Sequence, residues 1–191
     1  TTAIMAYLFK QAQLNPCHFI GGVINGEVSP IAVTDSQYMI AEADESDGSF
    51  LFMKPNVAVI TNIDADHLEA YQGSFAILKR SFLQFISQVA EDGLVVACVD
   101  HPVIKELLPE INRRVVTYGF SEEADFCISN YQQRELKSSF TLTTPDDQIA
   151  LALNLPGQHN VLNAVAGLAV ASHLGVAASQ LLQGLASFPG V

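Results

Sequence analysis

The sequence predicts an α/β fold: a mostly parallel sheet flanked by helices, with a small antiparallel sheet appended. Two observations predict it. Short apolar runs of strand length alternate with helical patterns, as expected when strands are buried on both faces of a sheet. From residue 125 onward, short alternating runs separated by polar turns indicate three antiparallel strands. The apolar runs of the main sheet are residues 38–41, 57–60, 94–99 and 115–118.

The helices are predicted from apolar spacing and from their start and stop signals. A first helix covers residues 1–14 and ends before Pro16, and a short strand follows at 17–20. Ser74 is the expected N-cap of a helix ending at Val89. Asp100 is expected to cap a short helix that has Pro102 in its first turn and runs to Leu108. The remaining predicted helices are residues 48–53, 158–174 and 178–186.

Composition excludes several classes of function. The 191 residues carry a net charge of −11, which argues against a surface for nucleic acid or for an anionic membrane. The longest apolar run is shorter than the about 18 residues that a membrane span needs, and no signal peptide is recognisable. The cysteines are widely spaced and odd in number, so we expect reduced thiols in a cytoplasmic protein: Cys17, Cys98 and Cys127.

Acidic side chains follow the strand predicted at 38–41, and a second polar stretch, ending in His67, follows the strand at 57–60. Four acids come at once after the first strand: Glu42, Asp44, Glu45 and Asp47. Ligands of open α/β sheets bind beyond the carboxyl ends of the strands. If these strands are neighbours, Glu42 and His67 meet at one sheet edge and form half of a site for a divalent cation whose other ligands are phosphate and water. The alternatives are a solvated acidic loop and a surface histidine.

Two amides and one lysine are weaker candidates. Asn160 and Asn163 lie three apart and project from one face of the first turn of a helix, where amide donors and acceptors suit the edge of adenine. Without further context, a capping asparagine with a chance neighbour is the favoured interpretation. Lys79 could reach a phosphate, although a solvated helix face is the simpler explanation. The histidines without convincing partners are interpreted as structural: His18, His101 and His173.

Five stretches together resemble the central domain of the Mur ligases, ADP-forming enzymes that add amino acids to the UDP-N-acetylmuramic acid precursor of peptidoglycan. They are residues 42–50 (EADESDGSF), 61–67 (TNIDADH), 71–73 (YQG), 118–121 (YGFS) and 157–164 (GQHNVLNA). Ser46 favours the branch of the family that adds L-alanine. The branch that recycles murein peptides tends to carry tyrosine there and is the alternative.

The resemblance implies roles for individual residues. Glu42 and His67 match the positions that bind Mg²⁺, with Glu45 and Asp66 in supporting roles. Asn160 and Asn163 match the positions that contact the adenine of ATP, with His159 beside them. Lys79 falls roughly where several members carry a carbamylated lysine that holds a second Mg²⁺, although the alignment there needs a gap. The implied reaction phosphorylates the carboxylate of UDP-N-acetylmuramate to an acyl phosphate, which the amine of L-alanine then attacks.

The resemblance also implies a domain organisation. Residues 1–188 would form the central domain, with the main α/β part at 1–122 and 156–188, the small antiparallel sheet at 124–155, and a linker starting at 189–191. The family's phosphate loop, its N-terminal UDP-binding domain and its C-terminal domain would lie outside this chain, so the chain alone is expected not to ligate. The alternatives from other classes are a catalytically empty nucleotide-binding scaffold and, less favoured, a metal-dependent hydrolase, because such hydrolases usually need more metal ligands than this sequence places together.

Overall fold

A computed structural model describes residues 1–27 and 29–191, and these form two compact units. The first unit consists of Thr1–Glu42 and Tyr118–Val191, and the second of Ala43–Thr117. The helices are α1 (Thr2–Gln11), α2 (Phe75–Ser87), α3 (Pro102–Leu107), α4 (Gln158–His173) and α5 (Leu182–Ser187). The strands are β1 (Cys17–Phe19), β2 (Ile31–Ala32), β3 (Met39–Ala41), β4 (Val57–Ile60), β5 (Leu94–Cys98), β6 (Val115–Gly119), β7 (Phe126–Arg134), β8 (Lys137–Thr143) and β9 (Gln148–Leu153).

The strands form a three-stranded sheet in the order β2-β1-β3 and a six-stranded sheet in the order β4-β5-β6-β7-β8-β9. β1 is antiparallel to β2 and parallel to β3. In the larger sheet β4 is parallel to β5, and β6 is parallel to β7. β7, β8 and β9 pair antiparallel and continue the edge of this sheet. The predicted α/β fold class is confirmed.

Each unit has its own apolar core. In the second unit all five residues of β5 are buried, and the rings of Phe82 and Phe85 on α2 each lie 5.2 Å from the ring of Phe50. In the first unit α4 is buried along most of its length. A side chain added at Gly167 would meet Leu8 of α1 at 3.5 Å, which shows how closely α1 and α4 pack. No helix among residues 1–27 and 29–191 is long and apolar enough to cross a membrane.

The strand predicted at residues 38–41 differs from the expectation. β3 is parallel, as predicted, but only Ile40 is buried, and Met39 is 71% exposed. Side chains of a strand point alternately to opposite faces, so a continuous apolar run does not require burial on both. β3 and β4 also belong to different sheets, so the premise that they are neighbouring strands is wrong.

The helix after β5 begins one residue later than expected. Its N-cap is His101 rather than Asp100, and Pro102 occupies the first turn. Ser74 is confirmed as the N-cap of α2, because its side chain accepts a hydrogen bond from the backbone N–H of Ile77. The segment predicted as the last helix is a 3₁₀ turn at Ala178–Leu181 followed by α5.

Candidate functional site

Glu42 is held in place by backbone groups of the first unit. It directly follows β3, and its own N–H donates to the carbonyl of Phe19 at 3.0 Å. Its carboxylate oxygen Oε2 accepts from the backbone N–H of Gly21 at 2.7 Å. A carboxylate can accept hydrogen bonds or bind a metal at both oxygens, so this anchor orients Glu42 and leaves its other oxygen available to a ligand. Glu42 is exposed, as a residue that meets an external ligand must be.

Gly21 allows this close approach because it has no side chain. A Cβ at this position would lie 3.0 Å from Oε2 of Glu42 and 3.3 Å from its carboxyl carbon. Sequence reasoning interpreted Gly21 only as a turn residue. A glycine 21 positions before an acid carries no signal of this contact, which depends on the parallel pairing of β1 with β3.

The predicted adenine-contacting amides lie at the start of α4, in the same unit as Glu42. Asn160 donates from Nδ2 to the carbonyl of Pro156 at 2.7 Å. Asn163 accepts at Oδ1 from the hydroxyl of Thr1. The His159 ring folds back against Gly157, where a Cβ would lie 2.6 Å from its Cε1 atom. Gly157 has φ +93°, a conformation that favours glycine.

Asn160 and Asn163 open onto a cavity of about 330 Å³ within the first unit. Its walls combine these two amides and Asn25 with apolar groups, among them Ile4 and Leu155, and with the chain at residues 188–191. Binding pockets for small molecules are typically about 300–1,000 Å³, mainly apolar and with a few placed polar groups. The sequence interpretation missed Asn25, which donates from Nδ2 to the carbonyl of Pro189 at 3.0 Å.

The acidic loop of residues 44–47 lies in the second unit and is ordered by its own carboxylates. Asp44 accepts from the N–H of Ser46 at 2.8 Å, and Asp47 accepts from the N–H of Ser49 at 2.8 Å. Hydrogen bonding to Ser46 lowers the pKa of Asp44, and hydrogen bonding to Ser49 lowers the pKa of Asp47. Both carboxylates are therefore ionised at neutral pH, and one oxygen of each is engaged in a hydrogen bond within the loop.

His67 begins a 3₁₀ turn at Leu68–Tyr71 and has a left-handed backbone with φ 50°. Its side chain is 51% exposed, and its Nε2 atom lies 3.8 Å from Oδ2 of Asp66. Asp66 also accepts from the backbone N–H of His67 at 2.9 Å. An acid beside a metal-binding imidazole commonly fixes its orientation, which is the supporting role expected of Asp66.

Two further polar side chains of the second unit have partners. Lys79 donates to Glu106 at 2.9 Å, and its ammonium lies 5.7 Å from the centre of the Phe75 ring. Its expected role as a second metal ligand stays a prediction. His101, interpreted as structural, places Nε2 3.2 Å from Oδ1 of Asp64, in the segment that leads to His67.

The donor chemistry fits Mg²⁺, although the protein side chains alone do not enclose it. Among residues 1–27 and 29–191 there is no cluster of three or more His, Cys, Asp or Glu side chains suited to a metal ion. Mg²⁺ usually binds one or two carboxylates and completes its shell with phosphates and water, so an anchored, exposed Glu42 fits such a site. Glu42 belongs to the first unit and His67 to the second, and their convergence stays a prediction.

Comparisons with known proteins support the resemblance to the Mur ligases. The family model described as the Mur ligase middle domain matches residues 28–171. UDP-N-acetylmuramate--L-alanine ligase of Coxiella burnetii is 46% identical over the whole chain, which spans 42% of that relative's length. The structure of UDP-N-acetylmuramate-alanine ligase from Thermotoga maritima has a TM-score of 0.85 at 28% identity and covers all of this chain and 42% of that one.

A further structural neighbour shares the fold at lower identity. The ligase from Neisseria meningitides that joins UDP-N-acetylmuramate to L-alanyl-gamma-D-glutamyl-meso-diaminopimelate has a TM-score of 0.86 at 22% identity, with 100% of this chain and 62% of that chain covered. The family match extends over most of the chain and includes all five motifs. The chain therefore belongs to the Mur ligase family, of which it carries the middle domain.

Proposed function

We propose that this chain is the ATP- and Mg²⁺-binding part of an ADP-forming ligase that joins L-alanine to UDP-N-acetylmuramate in peptidoglycan precursor synthesis. The cavity bordered by Asn160 and Asn163, in the same unit as the anchored carboxylate of Glu42, carries the proposal. The 46% identity with an L-alanine ligase supports the choice of acceptor. Net charge −11 and reduced cysteines are consistent with a cytoplasmic enzyme that has no nucleic-acid partner.

In this proposal the chain's residues orient ATP and the reacting groups. Asn160 and Asn163 would bind the adenine, with His159 beside them, and thereby set the register of the phosphates. Glu42 and His67 would hold Mg²⁺, with Glu45 and Asp66 supporting them. The bound metal would offset the repulsion between the γ-phosphate and the muramate carboxylate. The muramate carboxylate takes the γ-phosphoryl group of ATP, and ADP leaves. The amine of L-alanine then attacks the carbonyl carbon of the acyl phosphate, and the amide forms as phosphate and the amine proton leave.

The test uses the longer protein that carries this chain. ADP release is measured with ATP, Mg²⁺, UDP-N-acetylmuramate and L-alanine, and again with the tripeptide L-alanyl-γ-D-glutamyl-meso-diaminopimelate in place of L-alanine. We expect turnover with L-alanine. Turnover with the tripeptide alone would assign the chain to the peptide-recycling branch, and the absence of turnover with either would support a catalytically empty scaffold.

Glu42→Ala supplies the residue-level test. We expect kcat to fall by roughly 100-fold, the scale of losing one group that stabilises transition-state charge, with the melting temperature little changed. Glu122→Ala, an exposed acid in the same unit, is the matched control and should retain full activity. An unchanged kcat in Glu42→Ala would remove Glu42 from the metal site.

A further inference from the structure

Tyr71 is a buried tyrosine whose hydroxyl contacts the acidic loop. Its ring is 3% exposed, and its phenol donates a hydrogen bond to the backbone carbonyl of Glu45. Burial raises the pKa of the Tyr71 phenol, and the charges of Glu45, Asp47 and Asp44 raise it further. The phenol is therefore protonated, and a donor, throughout the neutral pH range.

Backbone hydrogen bonds hold the chain on both sides of Tyr71. Tyr71 ends the 3₁₀ turn that His67 begins, and the N–H of Ala70 donates to the carbonyl of His67 at 3.2 Å. The carbonyl of Tyr71 accepts from the N–H of Ser74 at 2.9 Å, and Ser74 caps α2. The phenol thus extends from a short, hydrogen-bonded connection between His67 and a long helix.

The Glu45 carbonyl that accepts this bond is also part of a hydrogen-bonded turn in the acidic loop. It also accepts from the N–H of Gly48 at 3.1 Å, closing the turn that contains Asp47. Glu45 also borders a small cavity of about 90 Å³, together with Thr61 and Asn62 just after β4 and with apolar residues such as Phe50 and Phe82. A displacement of this carbonyl would therefore move a residue that lines this cavity as well as the loop acids.

We infer that Tyr71 is a positioning residue whose hydroxyl fixes the acidic loop of residues 44–47 relative to the segment that carries His67. The inference rests on the proposed function, because it gives that loop and His67 a shared role around Mg²⁺ and phosphate. Tyr71 acts through the Glu45 carbonyl and contacts no reacting atom. A buried phenol bonded to whichever carbonyl is nearest is the alternative, and it predicts no effect on catalysis beyond a loss of stability.

The test is Tyr71→Phe in the longer protein, since phenylalanine keeps the buried ring and removes only the donor. Hydrogen–deuterium exchange is measured first, without metal or nucleotide. We expect amides in residues 44–50 to exchange at least several-fold faster than in the wild type, with the β5 amides unchanged. Tyr38→Phe, which removes a phenol from the first unit, is the control and should leave both regions unchanged.

Kinetics then separate positioning from general stability. In Tyr71→Phe we expect kcat to fall about tenfold and the Mg²⁺ concentration for half-maximal rate to rise, with the KM for L-alanine unchanged. Replacing Tyr71 with 4-aminophenylalanine, which keeps an N–H donor at the same place, should restore most of kcat. Unchanged exchange at residues 44–50 would overturn the inference, and so would an unchanged kcat accompanied by faster exchange.

Two remaining outcomes are also decisive. If Tyr71→Phe fails to fold, the hydroxyl supports the whole unit rather than one loop, and the positioning role is wrong. If the wild-type protein does not ligate at all, the proposed function fails, while the exchange experiment still decides whether Tyr71 orders the loop.

Discussion

The position of Glu42 depends on a residue that has no side chain. The N–H of Gly21 anchors one carboxylate oxygen at 2.7 Å, and a Cβ at this position would lie only 3.0 Å from that oxygen. The motif around residues 42–50 indicated the acid, but nothing in the sequence indicated its anchor. Tyr71 is a similar case: it belongs to a recognisable motif, yet its contact with the Glu45 carbonyl is visible only in the folded chain.

Gly21→Ala adds one methyl group beside Glu42 and so tests this anchor. The new Cβ would lie 3.0 Å from Glu42 Oε2, so the carboxylate must move and its hydrogen bond must lengthen. We expect ATP-dependent activity of the longer protein to fall about tenfold, and stability to change by less than about 0.5 kcal/mol, because both residues are exposed and the carboxylate can turn into solvent. Steady-state kinetics and urea unfolding measure the two effects.

Gly167→Ala is the matched control for that substitution. Its Cβ would meet Leu8 of α1 at 3.5 Å, an ordinary van der Waals contact, and alanine favours the helix α4 by roughly 0.5–1 kcal/mol over glycine. We expect full activity with equal or higher stability. Full activity in Gly21→Ala as well would show that the anchor is not needed.

Among the secondary-structure elements, α2 begins as its sequence predicts because the signal is local. Ser74 supplies the cap, and apolar residues at helical spacing supply the buried face. The short elements are less predictable. β3 has three residues with one buried, and β2 has two residues and was not predicted, because their existence depends on pairing with β1 rather than on their own composition.

Ser74→Ala tests the contribution of the cap to the second unit. Its Oγ atom accepts from the N–H of Ile77 at 3.4 Å, a long hydrogen bond, so we expect a loss near the lower end of the usual range, about 0.5–1 kcal/mol. The free energy of unfolding in urea measures it. Ser87→Ala, at the exposed end of the same helix, should change stability by less than about 0.5 kcal/mol. Equal losses in the two variants would contradict a capping role.

For the whole molecule, the charge balance constrains how a nucleotide can bind. Nine basic and 20 acidic residues produce a net charge of −11, which repels the phosphates of ATP. This total includes two carboxylates of the acidic loop, Asp44 and Asp47, whose lowered pKa values keep them ionised at neutral pH. A divalent cation bound with the phosphates would reduce this repulsion, and carboxylates close to the cation would be attracted to it.

Calorimetric titration of this chain with ATP tests that expectation. We expect weak binding when Mg²⁺ is present, and no measurable binding after EDTA removes it, because the metal supplies the positive charge that the chain lacks. The double variant His67→Ala, Asn160→Ala should not bind under either condition. Equal binding of ATP with and without Mg²⁺ would contradict the proposed metal dependence.

The fold class, most helices and strands, and the family could all be predicted from the sequence. These depend on local features: apolar periodicity, caps, turn residues and short motifs in a characteristic order. Four features became visible only in the folded chain: β3 and β4 lie in different sheets, Gly21 anchors Glu42, Asn25 joins the amides around the cavity, and Tyr71 contacts Glu45. Each of these features involves residues more than 15 positions apart in the sequence. The pairing of distant segments depends on packing, which local sequence patterns do not encode.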